Sequence, residues 1–199
     1  MKTRFFLMLI LLIQGFNLEI LAKEPGEGIG KSRGLILGLS ASNFAGPEAA
    51  TADNKFIPGL CLGFYQDFIF NHRYSLETGL LLTSKGSRLN AVGDLYIHQV
   101  QTYLEIPVIG ECKLISGEKL SFHVAGGAYM GLMLLAFNEV GFPEEINGLD
   151  AGVDLGLSVK FRHFSYKIDV KRGFLNVDKG DSSLSYKNLT FSLLMGISF

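Results

Sequence analysis

The sequence contains no tryptophan, only two cysteines and no apolar run long enough to cross a membrane as a helix. A spanning helix needs about 20 consecutive residues that are mostly apolar. The best candidate, residues 124–137, is shorter and includes three glycines. Charged residues are also scarce, at 19% of the 199 residues, against a usual value of about 25%. The net charge of −1 and the lack of a basic stripe argue against a nucleic acid partner.

Apolar residues and glycine are, by contrast, abundant. Hydrophobic residues make up 48% of the chain, the mean hydropathy is +0.28, and there are 24 glycines and 16 phenylalanines. Inside a bilayer, only helices and closed barrels satisfy all of their backbone hydrogen bonds. An apolar, glycine-rich chain without a spanning helix therefore favours a transmembrane β-barrel.

The first 22 residues have the order of features found in a secretory signal. Residues 1–4 are basic, residues 5–13 are uninterrupted apolar residues, and the small residue Ala22 follows a more polar stretch. Ile20 stands where a small residue is preferred, so an uncleaved anchor is the alternative. We predict a signal peptide over residues 1–22, a periplasmic linker over 23–32 and an outer-membrane β-barrel domain over 33–199.

Apolar and polar residues alternate with a period of two along most of the remaining chain, which is the pattern of β-strands. Charged residues fall almost entirely on one side of each segment. A soluble β-protein turns the apolar side inward, whereas a membrane barrel turns it toward lipid, and alternation alone does not separate the two. The pattern predicts eight strands, over residues 33–43, 57–69, 74–85, 100–114, 120–135, 149–161, 164–173 and 188–199.

The predicted connections alternate in length along the chain. Those over residues 44–56, 86–99, 138–148 and 174–187 are longer than those over 70–73, 115–119 and 162–163. Outer-membrane barrels have this asymmetry, with short periplasmic turns and longer external loops. We therefore predict an all-β protein, an eight-stranded antiparallel up-and-down transmembrane β-barrel in the outer membrane, with both chain ends periplasmic and four external loops.

The last predicted strand alternates cleanly and ends in an aromatic residue. Its apolar side carries Leu189, Phe191, Leu193, Met195, Ile197 and Phe199. This strand resembles the last strand of bacterial outer-membrane barrels. The resemblance implies that the barrel-assembly machinery recognises it, with Phe191 and Phe199 as the assembly signal. Outer-membrane lipid and this machinery are therefore the expected partners, together with envelope proteins that could bind the external loops.

Several internal segments resemble the PorT-like outer-membrane β-barrel family of Bacteroidota. They are residues 75–86, residues 125–131, residues 173–177 and the most characteristic one, Tyr103-Leu104-Glu105-Ile106-Pro107. The chain departs from the family at Thr78-Gly79, where a Pro-Glu pair is frequent. The resemblance spans nearly all of the chain after the signal. It implies an architecture and an outer-membrane location, and a role in envelope structure, interaction or the assembly of a secretion apparatus.

The main cluster of chemically active residues is the set of charges on the inward side of the predicted strands. Lone charges in a closed interior are costly, so they should pair with one another and fill the lumen, because eight strands leave a lumen just wide enough for side chains. The set comprises Glu77, Lys85, Glu105, Glu111, Lys113, Asp150, Asp154, Lys160, Lys167, Asp169 and Lys171.

No catalytic, cofactor or metal site is predicted. The sequence has no nucleophile elbow and no Cys/His spacing for a metal, and Cys61 and Cys112 fall on opposite strand faces, which predicts free thiols. The resulting hypothesis is a non-enzymatic barrel with a side-chain-filled lumen. Two alternatives remain: a soluble exported lipocalin-like binder, and a barrel enzyme whose only comparable rim site is His98 near Asp94.

Overall fold

The computed structural model describes residues 30–46, 54–92, 95–117, 119–138, 146–178 and 186–199. They form eight antiparallel strands that pair in chain order and close on themselves, so the predicted eight-stranded up-and-down barrel is confirmed. Among these residues no helix is long and apolar enough to cross a membrane. The strands are β1 (Gly30–Ala45), β2 (Ile57–Ile69), β3 (Tyr74–Val92), β4 (Leu95–Ser116), β5 (Leu120–Asn138), β6 (Leu149–Phe161), β7 (Phe164–Gly173) and β8 (Lys187–Ser198).

The predicted signal peptide and most of the predicted linker lie outside the described residues, so the division near residue 22 stays a prediction. The structure begins β1 at Gly30, three residues before the predicted start of the barrel domain. These three residues continue the ladder, because Gly30 pairs with Ile69 and Ser32 with Asp67 on β2. Strand pairing, rather than the alternation of side chains, therefore defines where the barrel begins.

The barrel closes between its first and last strands. The pairing runs from Gly34 opposite Ser198 to Ala45 opposite Lys187. Beyond it, the backbone N–H of Phe199 donates to the carbonyl of Arg33 at 2.9 Å. This closure removes the free sheet edge that a bilayer would leave without hydrogen-bond partners.

Apolar side chains lie on the outside of the barrel and charged ones on the inside. Leu60, Leu155 and Ile168 are 62%, 58% and 65% exposed, although each lies in the middle of a strand. Glu105 and Lys85 are fully buried. This is the reverse of a water-soluble barrel and matches the lipid-facing surface of a membrane barrel.

One predicted connection was wrong. Residues 86–99 were expected to form a long loop, but β3 and β4 remain paired as far as Val92 and Leu95. The backbone ladder continues through both polar and apolar pairs, such as Ser87 with Gln99 and Leu89 with Ile97. We call residues 87–92 and 95–99 the hairpin tip. Five steps of about 3.4 Å add roughly 17 Å of strand beyond the level of Ser87.

The two ends of the barrel differ. At the turn end, the strands are joined by residues 70–73, 117–119 and 162–163, and the chain terminus lies beside them. At the loop end, the hairpin tip projects and residues 146–148 and 174–178 fold over the barrel. The isolated bridge of Ile146 with Asp178 joins these two segments, and the bridge of Lys55 with Arg88 joins the residues before β2 to β3.

Candidate functional site: the charged lumen

Alternation directs the predicted charges into the barrel. Nine of the eleven are buried, on strands β3, β4, β6 and β7: Glu77, Lys85, Glu105, Glu111, Asp150, Asp154, Lys167, Asp169 and Lys171. The other two, Lys113 and Lys160, are half-buried near the turn end. Most members pair into two groups, which we call the central network and the turn-end network.

The central network consists of Lys85, Glu105, Asp150 and Lys171, which come from four different strands. Lys85 Nζ donates to Asp150 Oδ2 at 2.8 Å and also contacts the carboxylate of Glu105. Lys171 Nζ donates to Glu105 Oε2 at 2.7 Å. Charges alternate along this chain of contacts, so each lysine neutralises a carboxylate contributed from across the lumen.

Neutral side chains complete the central network. The Tyr129 hydroxyl and the Asn188 amide each donate to Asp150 Oδ2 at 3.1 Å. Lys85 Nζ lies 4.3 Å from the centre of the Tyr129 ring and 5.3 Å from that of Tyr103, within range of cation–π attraction. Lys85 is therefore held by two carboxylates and two aromatic rings. A buried charge is tolerated only when partners of this kind compensate the cost of removing it from water.

The turn-end network consists of Asp67, Glu77, Glu111, Lys160 and Lys167. Lys160 Nζ bridges Asp67 Oδ2 at 3.0 Å and Glu111 Oε2 at 2.5 Å. Lys167 Nζ donates to Glu77 Oε1 at 3.2 Å. The two networks together connect strands β2, β3, β4, β6 and β7 through the interior.

Asp154 and Asp169 lie between the two networks. Each is 2% exposed. In the part of the chain that the structure describes, neither carboxylate has a lysine at ion-pairing distance. Lys167 and Lys171 flank Asp169 on β7, but their ammonium groups contact glutamates on β3 and β4 instead.

Sequence reasoning missed several participants. Asp67 is 5% exposed and holds Lys160, and it continues the inward series on β2. His123 continues the inward series on β5, and its ring nitrogen Nδ1 lies 3.9 Å from Glu111. Tyr129 is uncharged, so the pattern of inward charges did not indicate it, although its hydroxyl donates to Asp150 Oδ2. All three residues occupy the alternate strand positions that face the lumen, and this alternation was the sequence signal that would have identified them.

Apolar residues fill the remainder of the lumen on the side of β1, β2, β3 and β8. The cluster comprises Ile36, Cys61, Tyr65, Leu81 and Leu194. A second cluster, which we call the loop-end seal, comprises Phe44, Ala136, Ile146 and Val177, with Met133 and Tyr186 packed against it. The charged interior is therefore separated from solvent at the loop end by packed hydrophobic side chains.

The described residues include both cysteines and His98 of the rim pair considered for catalysis. No three His, Cys, Asp or Glu side chains among them converge on a possible metal position. Cys61 and Cys112 are free thiols, as predicted. His98 is half-buried on β4, and Asp94 lies outside the described residues. The two aromatic residues of the predicted assembly signal face outward, Phe191 being 47% and Phe199 77% exposed.

Comparison with known proteins identifies the kind of barrel. The model of the family described as "Outer membrane protein beta-barrel domain" matches residues 32–179, about three quarters of the chain. No curated protein sequence matches the chain. Among solved structures, Neisserial surface protein A is 8% identical with a TM-score of 0.50, and the alignment covers 85% of this chain and 99% of that one.

Two further structures are similar at lower scores. OprG from Pseudomonas aeruginosa is 12% identical with a TM-score of 0.49, over 87% of this chain and 98% of that one. Ail, the attachment invasion locus protein of Yersinia pestis, is 14% identical with a TM-score of 0.43, over 86% and 100%. At such identities only the fold is shared.

The central network generates a stability prediction. Lys85→Met should lower the free energy of unfolding by about 3–5 kcal/mol, because it leaves the Asp150 carboxylate buried without its cation. Adding Asp150→Asn should recover part of the loss. The measurement is urea-induced unfolding in lipid vesicles. Lys187→Met, which removes a half-buried lysine from the loop end of β8, is the control, and equal stability of the two single variants would contradict the prediction.

Proposed function

Because the chain belongs to the outer membrane protein beta-barrel domain family, we propose that it is a closed, non-enzymatic barrel whose role is structural and interactive. Its outer-membrane location follows from the family and from the apolar outer face. The soluble lipocalin-like alternative is therefore wrong. The barrel-enzyme alternative has no supporting site among the described residues.

The observation that carries the proposal is the filled lumen. The central network spans the interior with fully buried charges, and the loop-end seal closes it above. Eight strands enclose a space that side chains can fill completely. A barrel of this kind is an anchor in the membrane rather than a conduit, so its function lies in the surfaces that it presents at its two ends.

The hairpin tip is the surface that we assign to partner binding. Strands β3, β4 and β5 have 19, 22 and 19 residues, against 10–16 for the other strands, and about 9–11 residues cross a bilayer. Strand β5 ends at Asn138, opposite Gln99, so only the β3–β4 pair continues into the tip. Short turns at the opposite end favour an external position for the tip. An extended, paired hairpin offers a projecting surface to another envelope protein.

The finer assignment to the PorT-like family of Bacteroidota, and with it a role in envelope structure or in assembling a secretion apparatus, also belongs to this proposal. The characteristic segment 103–107 supports it. Tyr103 and Glu105 of this segment are fully buried, and Glu105 joins both lysines of the central network. Two residues of the motif, Tyr103 and Glu105, thus contribute to the filled lumen, which is a physical reason for barrels of this design to share them.

Electrical recording tests the closed lumen. Folded protein in planar bilayers should give little or no steady conductance, because the central network and the apolar cluster beside it together fill the lumen. The variant combining Lys85→Ala, Glu105→Ala and Lys171→Ala, if folded, should show a small one. Folding is checked by heat-modifiable migration on a gel. Reproducible large channels from the folded wild-type monomer would overturn the proposal.

Site-specific cross-linking tests the hairpin tip. A photoreactive residue at His98 should yield discrete adducts of higher mass in intact cells, since this position lies within the tip. The matched control is the same residue at Leu155, which is 58% exposed on the lipid-facing side and should give no protein adduct. The same adducts from both positions, or none from His98, would contradict an interaction through the tip.

Recognition of the last strand by the assembly machinery is tested by deleting Phe199. The deletion should reduce the outer-membrane fraction in cells at matched expression and leave material in the periplasm. Refolding in detergent, where no machinery acts, should be nearly unaffected. Phe164→Ala, which alters another exposed aromatic residue at the same end, is the control. Equal outer-membrane fractions for the full-length and the shortened protein would contradict recognition of Phe199 by the assembly machinery.

A further inference from the structure

The turn end of the barrel contains a basic cavity that the closed-barrel function does not use. Its volume is about 220 Å³, room for roughly seven waters at about 30 Å³ each. The lining includes Arg73, Lys113, Lys160 and Arg162, two histidines and five serines. Asp67 is the single carboxylate-bearing residue in this lining. We call this space the basic bowl.

Strand pairing brings the basic residues together on one side of the rim. Lys113 on β4 lies opposite His123 on β5, and Ser121 on β5 lies opposite Lys160 on β6. The backbone N–H of Lys113 donates to the carbonyl of Arg73 at 2.8 Å, which fixes the arginine next to the lysine. The backbone therefore places Arg73 beside Lys113, with β5 between them and Lys160, whereas the Arg162 guanidinium lies 5.6 Å from the centre of the Phe161 ring.

Most of this positive charge has no counter-charge. Lys160 is neutralised by Asp67 and Glu111. Among the described residues, no carboxylate lies at ion-pairing distance from Arg73, Lys113 or Arg162. Arg73 and Arg162 are exposed and Lys113 is half-buried, and cations grouped around a concave surface create a positive potential that attracts anions. A bound anion would supply the missing charge.

The backbone at Arg162 supports a ligand role for this side chain. Arg162 and His163 form the two-residue turn between the paired residues Phe161 and Phe164. Arg162 has a φ of 52°, in the left-handed region where glycine is the relaxed residue. A turn that used glycine would fold with less strain and would lose a cation from the bowl. Strain of this kind accumulates at functional positions.

We propose that the basic bowl binds an anionic phosphoryl group. Two guanidinium groups can each offer paired N–H donors to phosphate oxygens, and lysine ammonium groups and serine hydroxyls supply further donors. Tyr74 and Phe164 line the bowl and are also exposed on the outer face, at 50% and 43%. Because aromatic residues mark the membrane interface, the bowl lies at headgroup level. The phosphoryl group can therefore belong to a soluble phosphate or to a phospholipid headgroup.

Two measurements on the full-length folded protein test the proposal and separate the two sources. Equilibrium dialysis with labelled inorganic phosphate measures binding of the soluble anion. Native mass spectrometry measures binding of phosphatidylglycerol, with a neutral glycolipid as the comparison. Retention of phosphate assigns a soluble ligand, and retention of phosphatidylglycerol without free phosphate assigns the lipid. Retention of neither overturns the proposal.

Variants assign the binding to the bowl. The double variant Arg73→Gln with Lys113→Gln should weaken binding by at least about tenfold, because it removes two of the unpaired cations. Arg162→Gly should also weaken it while the thermal midpoint stays equal or rises, since glycine relaxes the turn. Arg172→Gln, a half-buried arginine near the loop end of β7, is the matched control. Binding should also fall at about 1 M salt, where charges beyond roughly 3 Å are screened.

The outcomes are distinct. Loss of binding in both bowl variants with retention in Arg172→Gln supports the site. Unchanged binding in the double variant, or equal loss in the control, overturns it. If the thermal midpoint of Arg162→Gly is equal to or higher than that of the wild type, misfolding does not explain a loss of binding in this variant.

Discussion

The pairing of β1 with β8 is the constraint on which the rest of the molecule depends. A bilayer offers no water to an unpaired N–H or C=O group, so every strand must have two neighbours. Closure with eight strands then sets the width of the lumen. It also places every second side chain in that lumen, whatever its polarity, because the period of a strand is two. The lipid-facing surface and the charged interior are therefore two results of one geometric requirement.

The charged lumen shows how a membrane barrel tolerates buried ions. Each ion that leaves water costs free energy, and attraction between partners repays this only when geometry and hydrogen bonding are good. Lys85 meets the condition with two carboxylates and two aromatic rings, and Lys171 with Glu105. Since the partners come from strands far apart in sequence, the networks cross-brace the barrel from inside and favour one register of the sheet.

The two ends of the barrel have opposite chemistry. The loop end is closed by hydrophobic packing and carries the projecting hairpin tip. The turn end is open, polar and basic, with its cavity close to the interfacial aromatic residues. A filled interior separates these two surfaces. A partner at one end and an anion at the other would therefore be connected only through the strands of the barrel and not through a channel.

The sequence by itself determined the number of strands, their alternation and which charges face inward, because these follow from a period-two pattern that holds within each strand. The bounds of β2, β6 and β7 agree residue for residue with those expected. Only the tertiary structure decided what lies beyond that pattern. The pairing of the hairpin tip, where a loop was expected, and the register shift of β4 against β5 near Tyr103 appear only in the folded sheet. The partners of each charge and the convergence of Arg73, Lys113 and Arg162 also needed the closed barrel, because they join residues distant in the chain.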